Sequence, residues 1–247
     1  MGLAVSSHDF PVAPLVRITS LHKCHGAREV LCGVDLDLMP GEVVAVVGGS
    51  GAGKSTLLRC VAGLEGFQAG ALSLHGRPLP QGGHRRVAWL FQGRNLTPQL
   101  SVGANVMLAA CAAGQAREVL ARVGLAEQFG AMPAELTAAQ QQRVALARAV
   151  ATEPALLLCD DIASLADPEL AGEVAMALRA LAYDGLTVLL ATPDLAFARS
   201  VADRVVFLRE GRVLAAAPVE AAEPTSGPST ASPTLARRSA WRVAAAR

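Results

Sequence analysis

The chain has 247 residues, of which 52% are hydrophobic, 17% charged and 4% aromatic, with a formal net charge of +1. A chain of that length and hydrophobic content buries a sizeable core as one or two domains, which excludes an intrinsically disordered protein. Basic and acidic residues number 22 and 21, so there is no global positive field for nucleic acid, and any phosphate recognition must be local. Only two lysines occur, Lys23 and Lys54. The five cysteines, Cys24, Cys32, Cys60, Cys111 and Cys159, are odd in number and form no C-x-x-C pair. With no charged start leading into an apolar signal core, they predict a reducing, cytosolic compartment. The longest uncharged stretch, Leu96 to Ala116, is interrupted by Pro98, Gln99 and Asn105, so no membrane span is expected.

In chain order, residues 1–14 read as a loose lead-in, and a β-rich stretch runs from Leu15 to Gly41, where Pro40-Gly41 ends the alternating Val34, Leu36 and Leu38. Val43 to Val47 is a buried β-branched strand. It leads into Gly48-Gly49-Ser50-Gly51-Ala52-Gly53, after which Leu57, Leu58, Val61 and Ala62 recur at helical spacing. Ala71 to Leu74 and Val87 to Phe91 read as short strands, and Val106 to Gly124 and Gln140 to Ala151 as helices around turn signals at Gly114 and Met132-Pro133. The aliphatic runs Ala155 to Leu158, Thr187 to Ala191 and Val205 to Leu208 alternate with the amphipathic stretches Pro168 to Tyr183 and Leu195 to Ala202. That is the rhythm of an α/β fold with a parallel sheet. Residues 223–233 form a Pro/Ser/Thr-rich linker. A basic tail at 234–247 carries Arg237, Arg238, Arg242 and Arg247 around Trp241, either a frayed end or a short helix for a partner or anionic surface.

Gly48-x-x-x-x-Gly53-Lys54-Ser55 fits the P-loop pattern and stands directly after a buried strand and before a helix. Glycines let backbone N–H groups turn inward around phosphates, and the helix N-terminus adds a favourable dipole. Lys54 supplies a point charge to the β and γ phosphates, and the Ser55 hydroxyl can ligate Mg²⁺. A P-loop also needs an acid at the end of a neighbouring strand to hold the magnesium. Asp160, ending Ala155-Leu156-Leu157-Leu158-Cys159, fills that place, with Asp161 beside it.

From Val46 to Thr56, through Leu90-Phe91-Gln92, Asn95-Leu96-Thr97-Pro98 and Leu100-Ser101-Val102, to Gln140-Gln141-Gln142-Arg143 and Asp167-Pro168, the chain resembles the ATP-binding subunit of an ABC transporter. The resemblance covers residues 15–217. It implies a P-loop NTPase core, an N-terminal antiparallel β-subdomain and a helical subdomain over about 93–152, shortened because Gln92 to Leu136 is brief for the family. The wording around Asn95 to Val106 is most similar to the polar amino acid uptake branch. The resemblance implies ATP and Mg²⁺ as cofactors, held by Gly48, Gly49, Ser50, Gly51, Ala52, Gly53, Lys54, Ser55 and Thr56. It implies metal ligands at Ser55, Gln92 and Asp160, and catalytic residues at Asp161 and Gln92. It further implies a head-to-tail dimer, with itself or another ATP-binding subunit, in which Thr137 and Gln140 of one chain face the P-loop of the other. Two integral membrane permease subunits touching the Q-loop region around Leu90-Phe91-Gln92, a periplasmic substrate-binding protein and a peripheral location on the cytoplasmic face of the inner membrane complete what the family implies.

Four positions depart from the family pattern. The signature Leu-Ser-Gly-Gly-Gln reads Leu136-Thr137-Ala138-Ala139-Gln140. Two methyl groups there either hinder closure on the γ-phosphate or simply improve the helix start. Asp161 replaces a glutamate that polarises the attacking water. Its shorter side chain holds the carboxylate about an ångström back, a displacement that can cost about a hundredfold in rate. Pro193 stands where the switch histidine falls, with neither a side-chain donor nor a backbone N–H. His25 stands where an aromatic ring stacks on adenine, as a weaker stack or as a plain surface histidine. The expected function is therefore an ATP-binding subunit of an ABC import complex with impaired hydrolysis of its own; the alternative is a nucleotide-binding pseudo-ATPase that assembles or regulates such a complex.

Overall fold

The computed structural model describes residues 13–80, 82–91, 93, 95–109, 111–162 and 168–219. Residues 1–12 of the lead-in, the linker at 223–233, the tail at 234–247, and Gln92 and Asp167 lie outside the described residues. The elements are β1 Val16–His25, β2 Arg28–Leu38, β3 Val43–Val47, α1 Lys54–Val61, β4 Ala69–Leu74, β5 Arg77–Pro78, β6 Val87–Leu90, α2 Val102–Met107, α3 Ala113–Arg122, α4 Ala138–Val150, β7 Leu156–Asp160, α5 Pro168–Tyr183, β8 Thr187–Thr192, α6 Leu195–Val201, β9 Arg204–Arg209 and β10 Arg212–Pro218.

A six-stranded sheet has the order β10-β9-β3-β8-β7-β6, parallel throughout except at the β9–β10 hairpin. A four-stranded antiparallel sheet, β2-β1-β4-β5, lies beside it. The fold class is thus the α/β one expected, with its antiparallel N-terminal part.

Side chains alternate across a strand, so β3 feeds two cores. Val43, Ala45 and Val47 join the larger core with α2 to α6, whereas Val44 and Val46 join a second core with α1 and the antiparallel sheet. The neighbouring strands divide in the same way: Leu157 and Cys159 of β7 enter the larger core, Leu156 and Leu158 the second. In α1, Leu57, Leu58 and Val61 are fully buried under this sheet, each burial stabilising the fold by about 1.5–3 kcal/mol.

The helical region departs from expectation in its boundaries. Val106 to Gly124 is not one helix. Ser101 caps α2, its hydroxyl accepting from the Ala104 N–H at 3.2 Å, so the helix begins at Val102. α2 ends at Met107, and the chain restarts as α3 at Ala113, with Gly114 inside the first turn and not at a break. α4 begins at Ala138, two residues before the expected start, because Thr137 and Gln140 form a reciprocal capping box. Arg143 then ties α4 to its neighbours, donating to the Val123 carbonyl at 3.0 Å and pairing with Glu173 of α5 at 2.8 Å.

Asn105 is fully buried and organises the segment before α2. Its Oδ1 accepts from the Thr97 N–H at 2.7 Å, and its Nδ2 donates to the carbonyls of Thr97, Leu100 and Ser101 at 2.9–3.1 Å. Replacement by an apolar side chain orphans those backbone groups. Asn105→Leu is expected to lower unfolding free energy by about 2–4 kcal/mol, read from the midpoint of urea denaturation at an unchanged slope.

Candidate nucleotide site

The carboxyl ends of three parallel strands converge on one edge of the sheet. Val47 of β3 lies in register with Thr192 of β8, and Asp160 of β7 with Ala191. Ligands of open α/β sheets bind outside such strand ends. Here the glycine loop leaves β3 and turns directly into α1.

Glycine is required at two points of that loop. A Cβ on Gly48 would come within 2.2 Å of the Leu208 carbonyl oxygen, so only glycine lets β3 leave the sheet against β9. Gly53 precedes α1 at φ 105, a left-handed conformation, with a Cβ there only 2.9 Å from the Val30 carbonyl oxygen. Lys54 folds back over the loop, its Nζ donating to the Gly48 and Gly49 carbonyls at 2.7 and 3.0 Å. The Ser55 hydroxyl donates to Asp160 Oδ1 at 3.0 Å, joining α1 to the end of β7.

A cavity of about 460 Å³ follows this edge. It is lined by Ser50, Gly51, Gly53, Lys54, Ser55 and Thr56 from the loop and helix, by Asp160, Asp161 and Pro193 from the strand ends, and by His25, Arg28 and Val30 from the β1–β2 hairpin. Gly48, Gly49 and Ala52 instead line an adjoining cavity of about 630 Å³, with Phe207 to Gly211 and Leu214, that shares Ser50 and Gly51 with the first. Arg28 reaches both cavities. Arg28 and Val30 were not among the residues expected from sequence, though the hairpin register pairing His25 with Arg28 places them beside it.

The electrostatics are those of a charged cluster that water has partly left. Burial lowers Lys54 from its ordinary value, against the pull of Asp161 and Asp160. Burial, then the Asp160 carboxylate, raises Asp161 above the usual range, with Lys54 opposing. Asp161 holds φ +48 and donates its N–H to the Ala191 carbonyl at 2.9 Å. Aspartate is among the few side chains that tolerate this left-handed conformation. Pro193 follows β8, and Asp194 caps α6 by accepting from the N–H groups of Ala196 and Phe197 at 2.8 and 3.1 Å. Of the described histidines, only His25 lines the cavity.

Ser55 and Asp160 offer a hydroxyl and a carboxylate, hard oxygen donors that suit Mg²⁺ retaining waters and phosphate oxygens. Among the described residues no cluster of three or more His, Cys, Asp or Glu could hold a metal ion by itself.

Thr137 and Gln140 do not line the P-loop cavity. They face each other at the start of α4, where the Thr137 hydroxyl accepts from the Gln140 N–H at 3.2 Å and the Gln140 side-chain Oε1 accepts from the Thr137 N–H at 2.9 Å. Ala139 is buried in the larger core.

A P-loop between a buried parallel strand and a helix, with an acid at the end of the next strand but one, defines a P-loop nucleotide-binding domain. Residues 31–164 match the family described as ABC transporter. The octopine permease ATP-binding protein P of Rhizobium meliloti is 41% identical over 227 residues, spanning 81% of this chain and 86% of its own length. The glutamine transport ATP-binding protein of Escherichia coli is 39% identical over 214 residues, covering 81% of this chain and 89% of that protein. An ATP-binding cassette solved as a dimer in a post-hydrolysis state, with ADP and Pi, superposes with a TM-score of 0.70 at 29% identity, covering 83% of this chain and 98% of that one. The chain belongs to the ABC transporter family.

Two measurements check this geometry. Gly48→Ala should lower stability by about 1–3 kcal/mol through the forced contact with Leu208, whereas Gly49→Ala, whose Cβ meets nothing within 4 Å, should stay within about 0.5 kcal/mol, both by thermal unfolding. Asp161 binds its proton more tightly folded than unfolded, so its contribution falls as pH rises from the ordinary carboxylate value through the raised one. Asp161→Asn should therefore raise Tm at pH 7, with a gain that vanishes well below pH of about 3.9.

Proposed function

We propose that this chain is the ATP-binding subunit of an ABC importer for polar amino acids or similarly small polar solutes. The observation that carries the reading is the Ser55–Asp160 hydrogen bond at the mouth of the P-loop cavity, which joins the hydroxyl and carboxylate of a magnesium–phosphate site at 3.0 Å. The names of the relatives, permease and transport ATP-binding proteins for octopine and glutamine, support the solute class.

In this reading Gly48 to Thr56 wrap the phosphates with backbone N–H groups, and Lys54 exchanges its two loop carbonyls for β and γ oxygens. Bound Mg²⁺ would be held by Ser55 and Asp160, with Gln92, and would neutralise charge between the β and γ phosphates. Thr137 and Gln140, on the α4 start of one chain, face the nucleotide of a second ATP-binding chain, the same or a paralogue. Two membrane permease subunits complete the complex, with a periplasmic substrate-binding protein delivering the solute. No helix among the described residues is long and apolar enough to cross a membrane, which fits a peripheral subunit at the cytoplasmic face.

A second reading, nucleotide binding with little hydrolysis, is favoured by the strand-end wall of the cavity beside Lys54. There Asp161 offers a short carboxylate whose burial favours its neutral form, and Pro193 offers no donor. A water can be neither polarised from the usual distance nor held by a switch histidine. Subunits of this kind assemble or regulate a complex, or hydrolyse ATP beside an intact partner.

ATP affinity and steady-state ATPase rate, on the chain alone and with its partner subunits, test both readings. Lys54→Ala is expected to lose at least tenfold in ATP affinity. The native chain is expected to bind ATP yet turn over no faster than Lys54→Ala, and the Asp161→Glu, Pro193→His double variant to gain activity. Brisk turnover by the native chain would leave the importer reading standing and remove the impaired one; absence of ATP binding would remove both.

A further inference from the structure

The phosphate end of the 460 Å³ cavity is defined by the glycine loop, Lys54 and Ser55, and the hairpin contributes the other wall. A nucleotide's base needs a flat π surface beside apolar groups. Among the described residues His25 is the one aromatic ring lining the cavity, and Val30 is an apolar group on the same wall from the hairpin.

That ring is fastened from behind. Glu65, four residues past the end of α1, accepts at Oε1 from His25 Nε2 at 2.5 Å and lies 3.1 Å from Lys23 Nζ. Lys23 is 8% exposed and also donates to the Gly66 carbonyl at 2.6 Å. One carboxylate oxygen thus serves both nitrogen groups of the β1 end. Burial works to raise the Glu65 carboxyl, and the hydrogen bonds from His25 and Lys23 overcome it and hold the group below its ordinary value. Lys23 and Lys54 are the only lysines in the chain, and they sit at the two ends of this nucleotide cavity: one behind the ring, one at the phosphates.

We propose that Glu65, anchored by Lys23, is a positioning residue that fixes the His25 imidazole as the platform for the nucleotide base, so that base recognition depends on a carboxylate outside the cavity. This rests on the reading of the site as an ATP site and adds a residue to it. With one edge of the imidazole committed to Glu65, the ring is held in one orientation before a base arrives, which removes an ordering cost from binding.

The test compares equilibrium affinities for MgATP and for magnesium tripolyphosphate, which has the phosphates and no base, on the full chain. The native protein should prefer ATP. His25→Ala should cost about tenfold in ATP affinity, which corresponds to about 1.4 kcal/mol, and leave tripolyphosphate unchanged. Glu65→Ala should cost ATP affinity about threefold with tripolyphosphate again unchanged. In a His25→Phe background, whose ring makes no hydrogen bond to Glu65, Glu65→Ala should cost nothing. Glu65→Gln provides a fold-preserving variant if Glu65→Ala unfolds, with the same direction expected.

Loss of ATP and tripolyphosphate together on Glu65 substitution, or an equal loss in the His25→Phe background, would make Glu65 a structural tie and overturn the proposal. Equal affinity of the native chain for both ligands would overturn it while leaving the ATP-site reading intact. Binding of neither ligand would overturn that reading and this one with it.

Discussion

Everything at the nucleotide site depends on the burial of β3 between β8 and β9. Its five residues, Val43 to Val47, are all buried, with side chains divided between two cores. A strand in that position has no freedom to bend until it clears the sheet. Where it does clear it, the chain must turn within hydrogen-bonding distance of two neighbours, and Gly48 is there because the Leu208 carbonyl leaves no room for a side chain. The loop is therefore held by the sheet, and Lys54, Ser55 and α1 inherit their positions from it. The Ser55–Asp160 bond closes the arrangement across β8, fixing a hydroxyl and a carboxylate from elements 105 residues apart.

Two sets of residues line the strand-end side of the cavity. Lys54 is tied to the glycine loop and Ser55 to Asp160, and Asp161 and Pro193 stand beside them at the ends of β7 and β8. Asp161 has a local rationale: its backbone is left-handed, and aspartate tolerates that conformation better than most residues. Proline at 193 is accommodated because Asp194, not residue 193, caps α6, while the Asp194 N–H finds the Thr192 hydroxyl at 3.1 Å. The same economy appears at α4, where Thr137 and Gln140 cap the helix with each other and Ala139 fills core space. Each of these residues suits the folded chain on its own terms.

The sheet and the P-loop were legible in the sequence because their signals are short-ranged. Aliphatic runs such as Leu156 to Cys159 can only be buried strands beside the turn residues that bound them, and Gly48 to Ser55 carries its chemistry within eight positions. The family resemblance added the order of the motifs. What stayed hidden depends on contacts that only the folded chain makes. The break between α2 and α3 carries no glycine or proline to mark it, and the role of Asn105 comes from carbonyls at Thr97 to Ser101 that the folded loop brings around it. The tie of His25 to Glu65 crosses 40 residues and has no periodicity to announce it. Arg28 enters the site through hairpin register, a quantity set by side-chain pairing along two whole strands.

The most direct test of a sheet-held phosphate cradle is backbone hydrogen exchange of the full chain with and without MgATP. The account predicts that nucleotide slows exchange at the amides of residues 49–56 and leaves the α3 and α4 amides of the isolated chain unchanged. Protection that spares the loop and appears elsewhere would contradict it.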